Sequence, residues 1–240
     1  MTPKQTLDIS ALPALLTQHQ QAFDTLAHLL TEENKHTNLT RITNPEQIRS
    51  RHFLDSLAIL PALDNLAQGK KSLTIADIGS GAGFPVLPLA IVRPDWRFTS
   101  IEATGKKVNF QKKAVAELGL KNITVIHARA EELAHEKLYR EQFDVVVVRA
   151  VADLRILAEL ALPFVKIGGL MLAFKSANTK DELNTAAKTI STLGGQLDAI
   201  WNYTLPNAKD DFCLIAVAKS APTPREYPRS YAVISKKPAN

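Results

Sequence analysis

Residues 75 to 86, IADIGSGAGFPV, are the stretch of this chain whose chemistry is easiest to read. A short apolar run ends on Asp77 and opens into Gly79, Gly81 and Gly83, separated by single residues. Glycines at that spacing let the backbone turn sharply and approach a small molecule closely, and Val86 to Val92 read as the helix that follows. In the turn that cradles a dinucleotide, the third glycine falls three residues after the second; that position is Phe84. The spacing is therefore D-x-G-x-G-x-G, without the pyrophosphate cradle. Beyond it, Phe98 to Ile101 runs into Glu102, where a doubly wound sheet places its second strand and an acid that accepts both hydroxyls of a ribose. The alternative role for Glu102 is to cap the helix that starts near Gly105.

Two further groups have chemical potential. Arg149 follows the apolar run Val145 to Val148, and a guanidinium at the end of a buried strand must face a cleft or be held in a structural salt bridge. His52 and Asp55 share a helical stripe with Ile48 and Ile59, and a satisfied structural His–Asp pair is the expected reading.

These residues need a scaffold, and the hydrophobic pattern supplies one. Leu12, Leu15, Leu16, His19, Phe23, Leu26 and Leu30 recur at three- and four-residue steps, which predicts one amphipathic helix. A second starts at Asn44-Pro45, with Asn44 as N-cap and Gln47 closing a capping box, and stops at Pro61. From residue 73 onward strands and helices alternate. Strands are expected at 73–78, 97–102, 123–127, 143–149, 168–174, 196–203 and 212–219, with helices at 85–92, 106–118, 153–163 and 179–193 and a short turn near 131–138. The last two strands have no room for a crossover helix, so they pair as a hairpin. The expected fold class is α/β: a Rossmann-like, seven-stranded, mostly parallel sheet with its last strand antiparallel, plus an N-terminal helical extension. Residues 1–66 form the extension, 67–220 the α/β domain and 221–240 a basic tail.

Composition narrows the class further. The single cysteine, Cys213, excludes a disulfide framework and any Cys-Cys zinc site, so no metal is expected. The start of the chain reads as no leader, and the apolar stretch Ile156 to Phe174 is interrupted by Glu159, Pro163 and Lys166, so a cytoplasmic protein that does not enter membranes is expected. The net charge of +5 suits a polyanionic partner and is unevenly spread. Residues 1–66 are net −2, whereas 221–240 carry Arg225, Arg229, Lys236 and Lys237 against Glu226 alone. With Pro222, Pro224, Pro228 and Pro238, that tail reads as an extended arm or as a disordered solubilising terminus.

The glycine turn resembles motif I of S-adenosylmethionine (SAM) dependent class I methyltransferases. Methylation at a pyrimidine carbon needs a cysteine nucleophile, and Cys213 is placed in a buried strand. Methylation at an exocyclic amine goes with an N/D-P-P-Y/F/W site after the fourth strand, where this chain has Val148-Arg149-Ala150-Val151. A ring nitrogen such as guanine N7 carries no proton and needs neither device. Asn34-Lys35-x-x-Asn38-Leu39-Thr40, Arg51-His52-x-x-Asp55-Ser56-Leu57, the glycine turn with Phe84-Pro85, and Ile91-Val92-Arg93-Pro94 follow one family's order. So do Glu102-Ala103-x-x-Lys106-Lys107, Ala128-Arg129-Ala130-Glu131-Glu132, Arg149-Ala150, Lys175 and Tyr227-Pro228-Arg229. Together they resemble the RsmG (GidB) family of small-subunit rRNA guanine-N7 methyltransferases over nearly the whole chain.

That resemblance implies methyl transfer from SAM to N7 of a guanine in the 530 loop of 16S rRNA, on free rRNA or the small ribosomal subunit, by a protein expected to be monomeric. It implies that Asp77, Gly79, Gly81, Gly83, Phe84, Glu102, Ala130, Glu131 and Arg149 bind the cofactor, with Arg149 and Lys175 at the catalytic centre. Lys35, Arg51, His52, Arg225, Arg229, Lys236 and Lys237 are the expected RNA-binding group, to which Lys175 adds charge, and loss of the tail should weaken RNA affinity without changing SAM affinity. Phe84 or Tyr227 is either a stacking platform or a packing residue. The chain departs from the family pattern at Glu33, Val86, Ser176 and Ser230-Tyr231-Ala232. A methyltransferase acting on a protein or small molecule, and a non-catalytic SAM-binding RNA assembly factor, are the alternatives.

Overall fold

A computed structural model describes residues 4–149, 152–176, 179–206, 208 and 211–239. Ala150 and Val151, and positions 207, 209 and 210 of the expected hairpin loop, lie outside the described residues. Eight strands form one sheet: β1 (Lys4–Thr6), β2 (Thr74–Ile78), β3 (Arg97–Glu102), β4 (Ile123–His127), β5 (Phe143–Val148), β6 (Val165–Ser176), β7 (Gly195–Tyr203) and β8 (Phe212–Lys219). Successive side chains leave a strand on opposite faces. Ile75, Val145, Val147, Leu172 and Leu214 therefore enter one core, and Ala76, Val146, Val148, Met171 and Ile215 enter the other. Because both faces are covered, the central strands read as continuous apolar runs.

The first core is closed by α1 (Leu12–Gln18), α2 (Gln20–Thr37), a stretch made of α3 (Pro45–Gln47), α4 (Asp55–Leu57) and α5 (Leu60–Leu66), then α6 (Val86–Val92) and α7 (Gly105–Glu117). The second is closed by α8 (Ala130–Leu133), α9 (Leu154–Ala161) and α10 (Lys180–Thr192); a last turn, α11 (Tyr231–Ile234), lies in the C-terminal segment.

The strand order is β1-β7-β8-β6-β5-β2-β3-β4. The chain runs outward from β2 through β3 to β4 and then returns to the other side of β2 as β5, and all these neighbours are parallel. In open α/β sheets the crevice at such a reversal, beyond the carboxyl ends of the strands, is where ligands bind. Gly79 and Arg149 directly follow the two strands that flank it. β8 runs antiparallel to β7, as the short connection requires, and it is also antiparallel to β6 on its other side.

The class matches the expectation, with one strand more than the seven expected. β1 pairs parallel with the edge strand β7, Lys4 opposite Ile200, and the Trp201 indole N–H donates to Gln5 Oε1 at 3.1 Å. Lys-Gln-Thr has no apolar alternation; backbone pairing to an open edge makes the strand. The single helix expected from Leu12 to Leu30 is broken at His19 (φ −108°, ψ 26°), yet Leu12, Leu16, Phe23, Leu26 and Leu30 are all buried. Asn44 caps as expected, its side chain accepting the Gln47 N–H at 3.1 Å. Beyond that cap, Ile48–Leu54 winds as a wider π-helix, and Pro61 opens α5 where it was expected to end a helix. A first-turn proline removes no hydrogen bond the helix needs.

The C-terminal segment also differs from the expected arm. It is laid against the body, with Ile234 and Ala239 buried. Its prolines keep it out of helix and strand as far as Pro228, with one tight turn closed by the Tyr227 N–H on the Pro224 carbonyl at 3.0 Å, and the proline-free run from Arg229 to Lys237 leaves room for the single turn of α11. Among the described residues, no helix is long and apolar enough to cross a membrane.

Candidate active site

The glycine turn leaves β2 by donating the Gly79 N–H to the Ile101 carbonyl of β3 at 2.8 Å. Gly79 has φ +69°, and the space where a Cβ would project is open. Gly83 (φ +85°) is glycine for the opposite reason: a Cβ there would sit 2.4 Å from Leu87 Cδ1 of α6. One glycine thus leaves the backbone open and the other brings the helix close. Glu102, 5 % exposed, accepts the Gly81 N–H at 2.9 Å through Oε2 and the Thr104 N–H at 2.8 Å through Oε1. Both sequence readings of Glu102 are compatible: it ties down the start of α7 and the turn while two of the roughly four lone-pair directions of a carboxylate stay available.

Beneath the turn lies a buried network that the sequence reading missed. Ser100 Oγ donates to Gln111 Oε1 at 2.5 Å, the Gln111 amide donates to Ser80 Oγ at 2.8 Å and the Gly81 carbonyl at 2.7 Å, and the two serine hydroxyls are 2.6 Å apart. With every member paired, such a network fixes the loop in one conformation. The sequence signal was Ser100, a small polar residue on the same face of β3 as Phe98 and Glu102.

A cavity of about 250 Å³ opens beside this turn. Ile78, Ile101 and Val148 line it from the sheet, Ala128, Ala130 and Glu131 from the connection after β4, and Ile156, Leu157 and Leu160 from α9, with Tyr231 of the C-terminal segment completing the wall. Gly79, Glu102, Ala130 and Glu131 are brought together here as expected.

Asp77 lies just below. It is fully buried, its Oδ2 accepts the Val86 N–H at 3.3 Å, and its Oδ1 has no partner. Burial raises its pKa to about 7; the Glu102 charge adds to the rise, while the Val86 bond and Arg149 oppose it. Phe84 is stacked on His52, with ring centroids 4.5 Å apart and planes within 9°. The His52 Nε2 lies 2.9 Å from the Thr40 hydroxyl. Burial, and then the Arg149 charge, lower its pKa to about 4, so the ring is neutral at pH 7.

The expected His52–Asp55 pair is replaced by two separate pairings, since the π-helical turns carry the two side chains to different neighbours. Asp55 Oδ1 accepts the Tyr203 hydroxyl at 2.7 Å, and Oδ2 takes Arg149 Nη2 at 2.7 Å. Burial first, and then the Asp55 charge, raise the Tyr203 pKa well above the phenol range. Arg149 also donates to Ser56 Oγ at 3.0 Å and to the Arg51 carbonyl, and its guanidinium lies 5.9 Å from the centre of the Phe174 ring. The arginine is both salt-bridged and one-fifth exposed to a cleft.

That cleft is a second cavity of about 580 Å³, walled by Asp55, Arg149, Asp153, Phe174, Lys175, Glu182, Tyr203 and Phe212 and sharing Ala152 with the first. Lys175 donates to the Ala152 carbonyl at 2.5 Å and pairs with Glu182. Cys213 is buried in β8 and lines neither cavity.

The expected RNA-binding residues do not form one cluster. Arg51 lies 4.9 Å from the centre of the ring of Phe212, a residue that lines the second cavity. His52 is buried, so it belongs to the interior of the site and offers no face to a phosphate. Lys35 is exposed and paired with Glu32 at 2.8 Å, and Arg225, Lys236 and Lys237 are exposed on the C-terminal segment. Arg229 is bound to Glu159 of α9 at 2.6 Å.

Residues 19–207 match the GidB family, described as rRNA small subunit methyltransferase G. Proteins named ribosomal RNA small subunit methyltransferase G are similar over nearly their full length: 40% identical in Lactobacillus johnsonii (92% of each chain) and 41% in Leuconostoc mesenteroides (95% of each). Among solved structures, a 16S rRNA (adenine(1408)-N(1))-methyltransferase from Catenulisporales acidiphilia with SAM superimposes at TM-score 0.51 and 14% identity, covering 68% of this chain and 93% of that one. M. jannaschii TYW2 in complex with AdoMet gives 0.51 at 14% identity, covering 62% and 68%. At this identity the structural likeness speaks for the fold.

Proposed function

The chain belongs to the GidB family, and from that premise we propose that it methylates N7 of a guanine in the 530 loop of 16S rRNA. The coarser part of that statement, a SAM-dependent rRNA methyltransferase, follows from the family and from relatives at about 40% identity.

The first cavity fits the cofactor on three observations. Space is open above Gly79, Glu102 keeps lone pairs for two ribose hydroxyls, and the orphaned Oδ1 of Asp77 calls for a donor. The ammonium of the methionyl group supplies such a donor, and its charge would favour ionised Asp77. Ala130 and Glu131 then flank the adenine side. When bound, the sulfonium supplies an already activated methyl group, so the protein has to orient the acceptor and keep water out.

The second cavity is the place for the acceptor base. Guanine presents O6 and N7 as acceptors on one edge and N–H donors on the other. Arg149 has three hydrogen bonds among the described residues, out of the five donors of a guanidinium, which leaves donors for O6 beside the methyl-transfer line. Phe174 and Phe212 line the cavity with aromatic surface, and Asp153 and Glu182 are acceptors for the opposite edge. N7 loses no proton on methylation, so no general base is needed, and Lys175, already paired to Glu182, serves to shape the pocket and offset phosphate charge. Arg51, Lys35, Arg225, Lys236 and Lys237 supply positive charge for the RNA backbone.

The observation that carries this reading is the junction of the two cavities at Ala152, one with a nucleoside-binding acid and the other with an arginine and aromatic rings. It is tested by offering radiolabelled SAM to small subunits, naked 16S rRNA and bulk protein, followed by borohydride and aniline, which cleave RNA at N7-methylguanosine. Scission within the 530 loop is expected. Label in protein, or in RNA that resists scission, refutes the assignment.

A further inference from the structure

The C-terminal segment is anchored at both ends of its last turn. Before the turn, Arg140 donates to the carbonyls of Thr223, Pro224 and Tyr227 at 2.8, 3.1 and 2.9 Å, and His135 holds the Pro228 carbonyl at 2.8 Å. At the turn, Glu159 accepts Arg229 through both oxygens, at 2.7 and 2.6 Å, and the backbone N–H of Ala239 at 3.1 Å. Glu159 has no exposed surface, so the buried carboxylate holds Arg229 and Ala239 to one helix. Between those anchors Ile234 is buried and Tyr231 stands at the first cavity, 45 % exposed. Ile156 and Leu160, from the helix that carries Glu159, form the adjoining wall.

An aromatic ring left nearly half exposed on the wall of a mainly apolar cavity, which Glu102, Arg129 and Glu131 also line, is poorly explained by packing alone. A purine has two apolar aromatic faces and is best held between aliphatic side chains and a ring. We propose that Tyr231 binds the adenosyl group of the cofactor, covering its outer face, and that Arg229 and Glu159 are positioning residues that hold the tyrosine there. This rests on the reading of the first cavity as the SAM site. It reverses the expectation that the tail serves RNA alone and can be removed without cost to SAM binding.

The test is calorimetric titration with S-adenosylhomocysteine. Tyr231→Ala should raise Kd roughly tenfold, the scale of a lost aromatic pair together with its buried area, whereas Tyr231→Phe should stay within about twofold. In steady state the KM for SAM rises with Tyr231→Ala and kcat stays, since the ring touches the nucleoside and not the methyl group. The anchor is tested with Arg229→Met and Glu159→Gln combined, so that no buried carboxylate is stranded. That variant should weaken binding as Tyr231→Ala does, and combining all three changes should weaken it no further. An additive effect in the Tyr231→Ala background refutes the positioning role. Glu102→Ala separates the two levels of the argument. If it weakens binding while Tyr231→Ala does not, the tyrosine assignment is wrong; if neither does, the reading of the cavity fails and this inference with it.

Discussion

Replacing Asp77 by asparagine separates what the buried acid costs the fold from what it gives the ligand. Unfolded, an aspartate ionises near 3.8, whereas burial holds Asp77 protonated up to about 7. The folded state therefore binds more protons between those values. Stability from this group is fully present below the unfolded pKa and is lost as pH rises through the folded one. Between pH 5 and pH 8 the loss comes to roughly 2 to 3 kcal/mol. Asparagine fills the same volume, can keep the Val86 N–H bond and does not titrate. The stability gap between Asp77→Asn and wild type should therefore widen by that amount over the interval, about 4 to 12 °C in Tm for a domain of this size. His52 titrates in the opposite sense, its lowered pKa adding stability as pH rises from about 4 to 6.5, but it is common to both proteins and cancels. Thermal melts across pH 5–8 with and without SAM are the assay. Asp77→Asn should be the more stable protein at pH 8 and bind SAM at least tenfold more weakly, while wild-type affinity increases with pH through about 7. A gap that is flat with pH refutes the buried-charge argument. Unchanged SAM affinity refutes the ammonium contact.

Three further changes follow from the geometry. Gly83→Ala puts a methyl 2.4 Å from Leu87 at φ +85° and should cost roughly 2 to 4 kcal/mol in denaturant melts, whereas Gly79→Ala, with open space around it, should cost less and show mainly as weakened SAM binding. Arg149→Ala leaves Asp55 with only the Tyr203 hydroxyl and should cost roughly 3 kcal/mol along with most methyl transfer; adding Asp55→Asn should restore stability but not transfer. Truncation after Ser220 removes Thr223, on which the buried Lys219 donates, and strands Glu159, so it should lower Tm by several degrees and also weaken S-adenosylhomocysteine binding.

Strands with both faces buried were legible because a continuous apolar run has few other places to go; β2, β5 and β8 lie within a residue of where the pattern put them. β1 was not legible, because three polar residues gain their place through backbone pairing with β7. The meeting of the glycine turn with Glu102 was readable because both sit at two neighbouring strand ends. Asp55 was noticed but given the wrong partner: helical spacing predicts neighbours one turn apart, and it carries no information about Tyr203 or Arg149, 148 and 94 positions away. The Ser80–Ser100–Gln111 ring and the Arg229–Glu159 pair escaped for the same reason, since each joins elements brought together only by the finished sheet.

Those long-range links assign different work to the chain segments before β2 and after β8. The N-terminal one brings Asp55, Ser56 and the Arg51 carbonyl onto Arg149, so it orients the arginine at the cavity proposed for the acceptor. An arginine at that strand end without Asp55 would be a half-exposed cation free to swing, and a donor aimed at one base edge needs its geometry fixed in advance. The C-terminal extension brings Tyr231 to the other cavity and is fixed by a buried acid on the helix that lines it. Neither cavity is complete with the sheet alone. A core trimmed to residues 67–220 would keep the glycine turn and Glu102, yet it would lose the group that aligns Arg149 and the ring proposed to cover the nucleoside. Such a fragment, if folded, should bind SAM weakly and transfer nothing, and the two losses should be separable by restoring one extension at a time.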